Sequence, residues 1–406
     1  MSASEIERSE RLHGLDALRG GTLLLGVVLH ASMSFIPAPI WIVSDERQSV
    51  GAGVLFFAIH IFRMATFFLL AGLFAHMMLG RRGVGGFLKD RFIRIGGPLG
   101  VFWTPVMAAI IAVLIWSAAR QAAGAPMGPP PHPPTYTLLT IPLTHLWFLW
   151  ALMLFYVAVL ILRAPFAMLD REGSWGRTVD RAIAALATPW GSGVLGAPLA
   201  AALWAEPNWA PFFGIPTPDH GLVPNLSACV GFGTVFVFGF LLDRRRDLLA
   251  KLEGWAPVNL ILAVAAGTAL LVLAGGPAPS IIPVTDPATK AMAAAALGVA
   301  TFASAFAAVG LALKFFAGHS ALRRYLADAS YWIYIVHLPM VMAGQVLIQD
   351  WAMVWPVKLT VVVAGVLAVS LITYELLIRH SFMGRWLNGR RVPWRRKPDA
   401  ELAPAE

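Results

Sequence analysis

The chain has 406 residues, of which 58% are hydrophobic and 13% charged, with a net charge of +9. Soluble globular chains are about half apolar and about a quarter charged. This composition therefore excludes a water-soluble enzyme, a disordered chain and a coiled coil, and it reads as an all-α polytopic membrane protein. The single Cys229 allows no intramolecular disulfide. The 10 histidines fall in no metal-ligand spacing, so no metal site is expected.

A membrane crossing needs about 20 apolar residues. In chain order, ten segments predict transmembrane helices: 20–37, 52–79, 96–118, 141–162, 186–204, 222–242, 257–276, 290–314, 329–349 and 356–378. The fifth is short and interrupted by Pro189, Gly191, Gly193 and Pro198, which suits a broken or re-entrant segment. Sorting the Lys and Arg residues by loop puts 26 of 31 on one side, four on the other, and Arg63 inside a span. The excess of positive charge marks the cytoplasmic side, so both termini are expected there. It also accounts for the basic balance without nucleic acid; the partner it implies is the lipid bilayer. Residues 1–19 form a polar cytoplasmic segment leading into a retained signal-anchor helix. Residues 20–380 form the transmembrane domain, and 381–406 a basic tail expected to be disordered near anionic headgroups. The stretch 124–134 is Pro- and Gly-rich and predicts extended polyproline structure.

Polar side chains inside spans are costly and are functional candidates by default. In the first span His30 follows Arg19 by eleven residues. At about 100° and 1.5 Å per residue, the two lie within about 20° on one face, with His30 roughly 16 Å deeper. Asp16 falls on the same side. The alternative is a histidine satisfied by a backbone carbonyl within the bundle. His60 and Arg63 lie one turn apart in the second span, either as a structural pair or as part of a cavity. Arg91 and Arg94 share a helix face, either as topological anchors or as a fork for phosphates. His145, Trp147 and Trp150 open the fourth span, where Trp is ordinarily an interfacial belt but also stacks on sugars. Tyr331, Tyr334 and His337 recur at helical spacing in the ninth span, ahead of Pro339. Glu375 precedes Arg379 by four residues in the tenth, a spacing that suits an intrahelical ion pair.

Together these residues resemble the membrane-bound acyltransferase-3 family. The resemblance rests on Leu15-Asp16-x-Leu18-Arg19-Gly20, on Arg19 and His30 with ten residues between, and on Phe67-Phe68-x-x-Ala71-Gly72. Arg91-x-x-Arg94 and Ser330-Tyr331-x-x-Tyr334-x-x-His337 complete it. Phe62-Arg63-Met64 and His145-Leu146-Trp147-Phe148-Leu149 are most similar to the branch that succinylates periplasmic glucans. Ala71 stands where that family often has Ser. The resemblance implies a protein of the bacterial inner membrane that moves a succinyl or acetyl group from cytoplasmic acyl-CoA to a hydroxyl of an extracytoplasmic glycan or glycoconjugate. Acyl-CoA is then a co-substrate, and no permanently bound cofactor is implied. His30 is the implied general base, with Asp16 and Arg19 as catalytic partners. Arg19, Arg91 and Arg94 would meet the donor phosphates. Arg63, His60, His145, Trp147, Tyr331, Tyr334, His337 and Glu375 would line the cavity or acceptor site. The competing classes are a secondary transporter or exporter of a lipid-linked or anionic sugar, and a non-catalytic sensor. Neither an internal repeat nor paired broken helices support transport.

Overall fold

The computed structural model describes residues 3–121, 136–169, 174–389 and 392–393. The proline-rich stretch 124–134 and the tail beyond 393 lie outside the described residues. Thirteen α-helices follow one another: α1 Ala3–Ser32, α2 Val50–Arg91, α3 Gly97–Gln121, α4 Trp147–Leu169, α5 Ser174–Leu186, α6 Pro189–Ala205 and α7 Leu226–Leu242. The series ends with α8 Leu248–Gly254, α9 Ala256–Leu273, α10 Pro287–Phe316, α11 Ala321–Ile348, α12 Trp355–Thr373 and α13 Phe382–Asn388. The described residues contain no strand, only an isolated bridge between Pro142 and His220.

Among the described residues, eight stretches are long and apolar enough to cross a membrane, or nine if α5 and α6 are one bent span. The difference from the ten expected has two physical causes. Val50–Arg120 forms one stretch of 71 residues, about 105 Å at 1.5 Å per residue. It therefore holds two of the expected crossings, joined through the charged residues 81–94, which are helical on both sides of Gly83. A kink at Gly83, φ 65°, and a π-helical turn over Phe92–Gly96 redirect it. The expected fifth span is α6, which passes only together with α5, at 106° to it. The break is set by the Thr188 side chain, which accepts from the Gly191 N–H, and by Pro189 at the first helical turn. The first part of the expected tail, Phe382–Asn388, is helical and packs beneath α11 and the π-turn.

Lipid tails are as apolar as Leu, so helices in a membrane associate through close packing of small residues. At the crossing of α2 and α7, a methyl on Gly72 would strike the Phe236 carbonyl, and one on Gly239 the Leu69 carbonyl. Gly72 thus provides tight packing, and Ala71 lines a cavity. At one end of the bundle Arg19, Arg82, Arg91, Arg94, Arg324 and Arg385 gather around shared cavities; this is the basic end. The far end carries a buried ion pair, Lys358 to Asp45 at 2.7 Å, with both side chains at most 2% exposed. Breaking a pair so buried costs about 3–5 kcal/mol. It pins the 36–49 loop, which follows α1, onto the start of α12.

Candidate functional site

The site has two parts, both touching α1. At the basic end, Arg19 pairs with Asp16 at 3.3 Å and lies 5.7 Å from the centre of the Phe74 ring. Arg19 also lines a cavity of about 210 Å³ with Ala71, Arg91, Arg94, Tyr331 and Tyr334. Asp16 does not line it. Neither Asp16 nor Arg19 reaches His30, because the helix rise separates them by about 16–21 Å. The separation is the one that the helix geometry of the sequence implies: Asp16 pairs with Arg19, and Arg19 lines the basic cavity.

Arg91 and Arg94 do come together, and through a residue that sequence reading passed over. The Asp90 carboxylate, 4% exposed, accepts from Arg91 at 2.5 Å, Arg82 at 2.7 Å and Arg94 at 3.2 Å. Arg91 also lies over the Tyr156 ring at 5.7 Å. A π-helical turn leaves carbonyls out of the ordinary i to i+4 ladder. Two of these are claimed from outside: Tyr331 donates to the Arg94 carbonyl at 2.7 Å, and Trp386 of α13 to the Ile93 carbonyl at 2.6 Å. The guanidinium cluster is thus locked to α11 and α13. The available signal was Asp90 itself, the one acid among five basic residues in 81–94.

The second part lies deeper. The His30 ring centre is 5.3 Å from that of His337, which is 4.9 Å from that of His145. Gly26, one turn before His30, makes room for two neighbours. A Cβ there would lie 2.9 Å from Arg63 Nη1 and 3.7 Å from His337 Nε2. His337 Nδ1 donates to the Tyr334 carbonyl at 2.7 Å, so neutral His337 presents Nε2 as an acceptor. Nδ1 of His30, Nε2 of His337 and Nε of Arg63 are buried, and none finds a hydrogen-bond partner among the described residues. Buried polar atoms are nearly always paired, so these three, of the ten unpaired ones among the described residues, make this a candidate place for a polar ligand. Arg63 also makes no ion pair with a carboxylate among the described residues. No group of three or more His, Cys, Asp or Glu suited to a metal occurs among them.

His145 and Trp147 are not at an outer surface. His145 is 5% exposed. Pro339 has no N–H, which frees the carbonyl of Ile335 four residues earlier, and His145 Nε2 donates to that carbonyl at 3.1 Å. Thr144, at φ 49°, holds the left-handed turn that aims His145 inward, a strained conformation for a β-branched residue. The Tyr334 hydroxyl closes the arrangement on the His145 carbonyl at 2.7 Å. Trp147 is 6% exposed and stacks on Phe232 at 5.6 Å; it is core. His60 stacks on Phe56 at 5.1 Å, against Gly214. Glu375 lies at the basic end, held by Arg379 at 2.9 Å, His380 at 3.2 Å and Tyr325 at 3.2 Å. It is an ion-paired residue remote from the histidines. Tyr331 and Tyr334 line the basic cavity, and Tyr334 also borders the histidines at 6.1 Å from His337.

These two parts sit in a membrane-embedded helical bundle, and comparison gives the class. The chain belongs to the acyltransferase family whose description is "Acyltransferase domain", which matches residues 12–375. It is similar to glucans biosynthesis protein C of Escherichia coli (strain K12), with 28% identity over 144 residues. The same protein from Escherichia coli O1:K1 / APEC and from Escherichia coli O139:H28 (strain E24377A / ETEC) matches equally. The matched stretch spans 36% of this chain and 37% of each relative. No solved structure matches.

Proposed function

We propose that this membrane acyltransferase moves a succinyl or acetyl group from cytoplasmic acyl-CoA to a hydroxyl of an extracytoplasmic glycan, in the bacterial inner membrane. The observation that carries the reading is on α1: one helix lines the arginine-rich cavity with Arg19 and, about 16 Å on, presents His30 to a cluster of unpaired polar atoms. The basic end is then cytoplasmic, in keeping with the charge asymmetry of the loops. Arg91, Arg94 and Arg19 meet the phosphates of the donor. Leu23 is the deepest α1 residue of that cavity, seven residues and about 10 Å short of His30. The thiol-ended arm of the coenzyme would pass Gly26 to bring its thioester to the imidazole.

The acceptor hydroxyl then bonds to the acyl carbon while its proton passes to His30. Arg63, paired with no carboxylate among the described residues, holds the negative charge that builds on the former carbonyl oxygen. Collapse breaks the C–S bond, and the proton passes from His30 to the coenzyme thiolate. The glucan named for the relatives makes a glucan the first acceptor to assay. His30→Gln keeps hydrogen bonding but cannot serve as the base, so transfer should fall by about 10²–10⁴-fold, with acyl-CoA binding and thermal stability retained. Substantial turnover in the purified Gln variant removes His30 from the mechanism.

A further inference from the structure

With Trp147 buried in the core, the aromatic surface that a sugar would meet has to lie elsewhere. The 36–49 loop at the far end supplies it. Trp41 is partly exposed, and its indole lies 5.9 Å from the His30 ring, with 27° between the planes. The indole does not rotate freely. Its N–H donates to Gln345 Oε1 at 2.8 Å, and Gln345 Nε2 donates to the carbonyls of His30 and Ala31 at 3.0 and 3.2 Å. Those carbonyls belong to the last turn of α1, where no later N–H of the helix can reach them. One buried amide on α11 therefore caps the helix that carries His30 and fixes the indole beside it.

The loop is held at its other end as firmly. Asp45 is paired with Lys358, and Lys358 Nζ donates again to the Gln349 carbonyl at 2.8 Å. The Asp45 N–H reaches back to the Ser34 carbonyl at 2.9 Å, and the Ser49 N–H to the Phe35 carbonyl at 2.8 Å. A loop that served only to connect α1 to α2 would not need a buried ion pair to set its register.

We infer that Trp41 is the acceptor-contacting residue of the site: its indole face receives a pyranose ring of the glycan and turns a hydroxyl of that ring toward His30. The inference rests on the proposed transfer to a glycan. A pyranose has an apolar face of C–H groups and a rim of hydroxyls. A flat, pre-oriented ring matches the face, and the unpaired polar atoms of His30, His337 and Arg63 match the rim. Gln345 acts through Trp41 and α1 and is a positioning residue.

The test uses the full chain in lipid nanodiscs, with β-linked glucose oligosaccharides as acceptor probe and radiolabelled succinyl-CoA or acetyl-CoA as donor. Oligosaccharide binding is measured directly by calorimetry, alongside transfer kinetics, for the parent, Trp41→Ala and Trp41→Phe. Trp41→Ala should raise the acceptor KM and Kd by roughly tenfold, the loss of one ring contact, with the acyl-CoA Kd unchanged and the melting temperature lowered no more than in Trp41→Phe, which loses the same bond to Gln345. Trp41→Phe should recover most of the loss. Transfer with an acceptor KM unmoved in Trp41→Ala overturns the role of Trp41 and leaves the transferase reading intact. Equal weakening of donor and acceptor also overturns it, since a folding effect would do that. Trp41-dependent oligosaccharide binding without transfer by the parent keeps Trp41 and overturns the reaction. A parent that binds no oligosaccharide overturns both.

Discussion

Replacing Asp90 by Asn separates two accounts of the arginine cluster by the sign of the effect. Three guanidiniums share this one carboxylate, at 2.5, 2.7 and 3.2 Å. Arg82 is about half exposed, and its bond contributes at most about 1 kcal/mol. Arg91 and Arg94 are 16% and 30% exposed, and hydrogen bonds to charged partners there contribute about 1.5–3 kcal/mol each. The Asn variant should therefore lose about 3–5 kcal/mol of local order, the scale for breaking a buried pair. Asn keeps the volume, so little of that loss is packing.

Counting charges alone gives the opposite result for anion binding. Three arginines with one aspartate carry a net +2; with asparagine they carry +3. One further unit charge about 6 Å from a phosphate would strengthen binding by about 0.7–3 kcal/mol between effective dielectrics of 80 and 20. If Asp90 instead holds Arg91 and Arg94 in a fixed fork, the variant should bind acyl-CoA about tenfold or more weakly despite its extra positive charge. Calorimetric titration of acyl-CoA into the nanodisc-embedded variant at low and moderate salt decides the matter. Tighter binding that weakens steeply with salt would refute the positioning argument and reduce the cluster to a diffuse positive field.

The histidine cluster gives further expectations. His145→Ala should destabilise the bundle by about 1–3 kcal/mol, because it orphans the Ile335 carbonyl. In a Pro339→Ala background the restored N–H can take that carbonyl, so the His145 cost should shrink by about 1 kcal/mol or more. Additivity within about 0.5 kcal/mol in the double-mutant cycle would show that His145 does not serve the proline. Gly26→Ala places a methyl 2.9 Å from Arg63 Nη1. The flexible guanidinium can retreat at small cost in stability, within about 1 kcal/mol, yet its displacement should lower transfer by about 10–100-fold. Transfer unchanged in a stable Gly26→Ala protein would exclude Arg63 from the reacting centre.

What the sequence made legible is what a single helix encodes. The common face of Arg19 and His30 follows from a period of 3.6 residues, and the proximity of Arg91 to Arg94 and the Glu375–Arg379 pair from spacings of three and four that survive in the π-helical turns where they fall. What it concealed joins residues far apart in the chain. Trp41 meets Gln345 across 304 positions and Asp45 meets Lys358 across 313, and neither pairing leaves a periodic trace. Trp147 misled because a Trp at the start of a span looks the same whether it faces headgroups or Phe232. The bond from His145 to Ile335 was half legible: Pro339 announces a freed carbonyl but not the residue that takes it. The two crossings on either side of 81–94 share one stretch because a helix does not end where its lipid-facing character ends; Arg and Lys are good helix formers, and only Gly83 breaks the geometry.

The distribution of carboxylates explains why one arginine stands apart. Asp16, Asp90, Asp243 and Glu375 neutralise arginines at the basic end. Asp45 and Asp350 neutralise Lys358 and Arg120 at the far end. None of them reaches Arg63, in the first half of α2, although a guanidinium buried in a membrane is costly without a partner. A carboxylate there would lower that cost and cancel the field at Gly26 in the same stroke. In the proposed transfer a thioester carbonyl would gain negative charge only as the hydroxyl attacks, so a cation without a carboxylate partner among the described residues would favour that moment over the bound substrates. If the proposed transfer holds, the unpaired nitrogens of Arg63, His30 and His337 would be one design, three polar atoms left unsatisfied where the reacting groups would supply their partners.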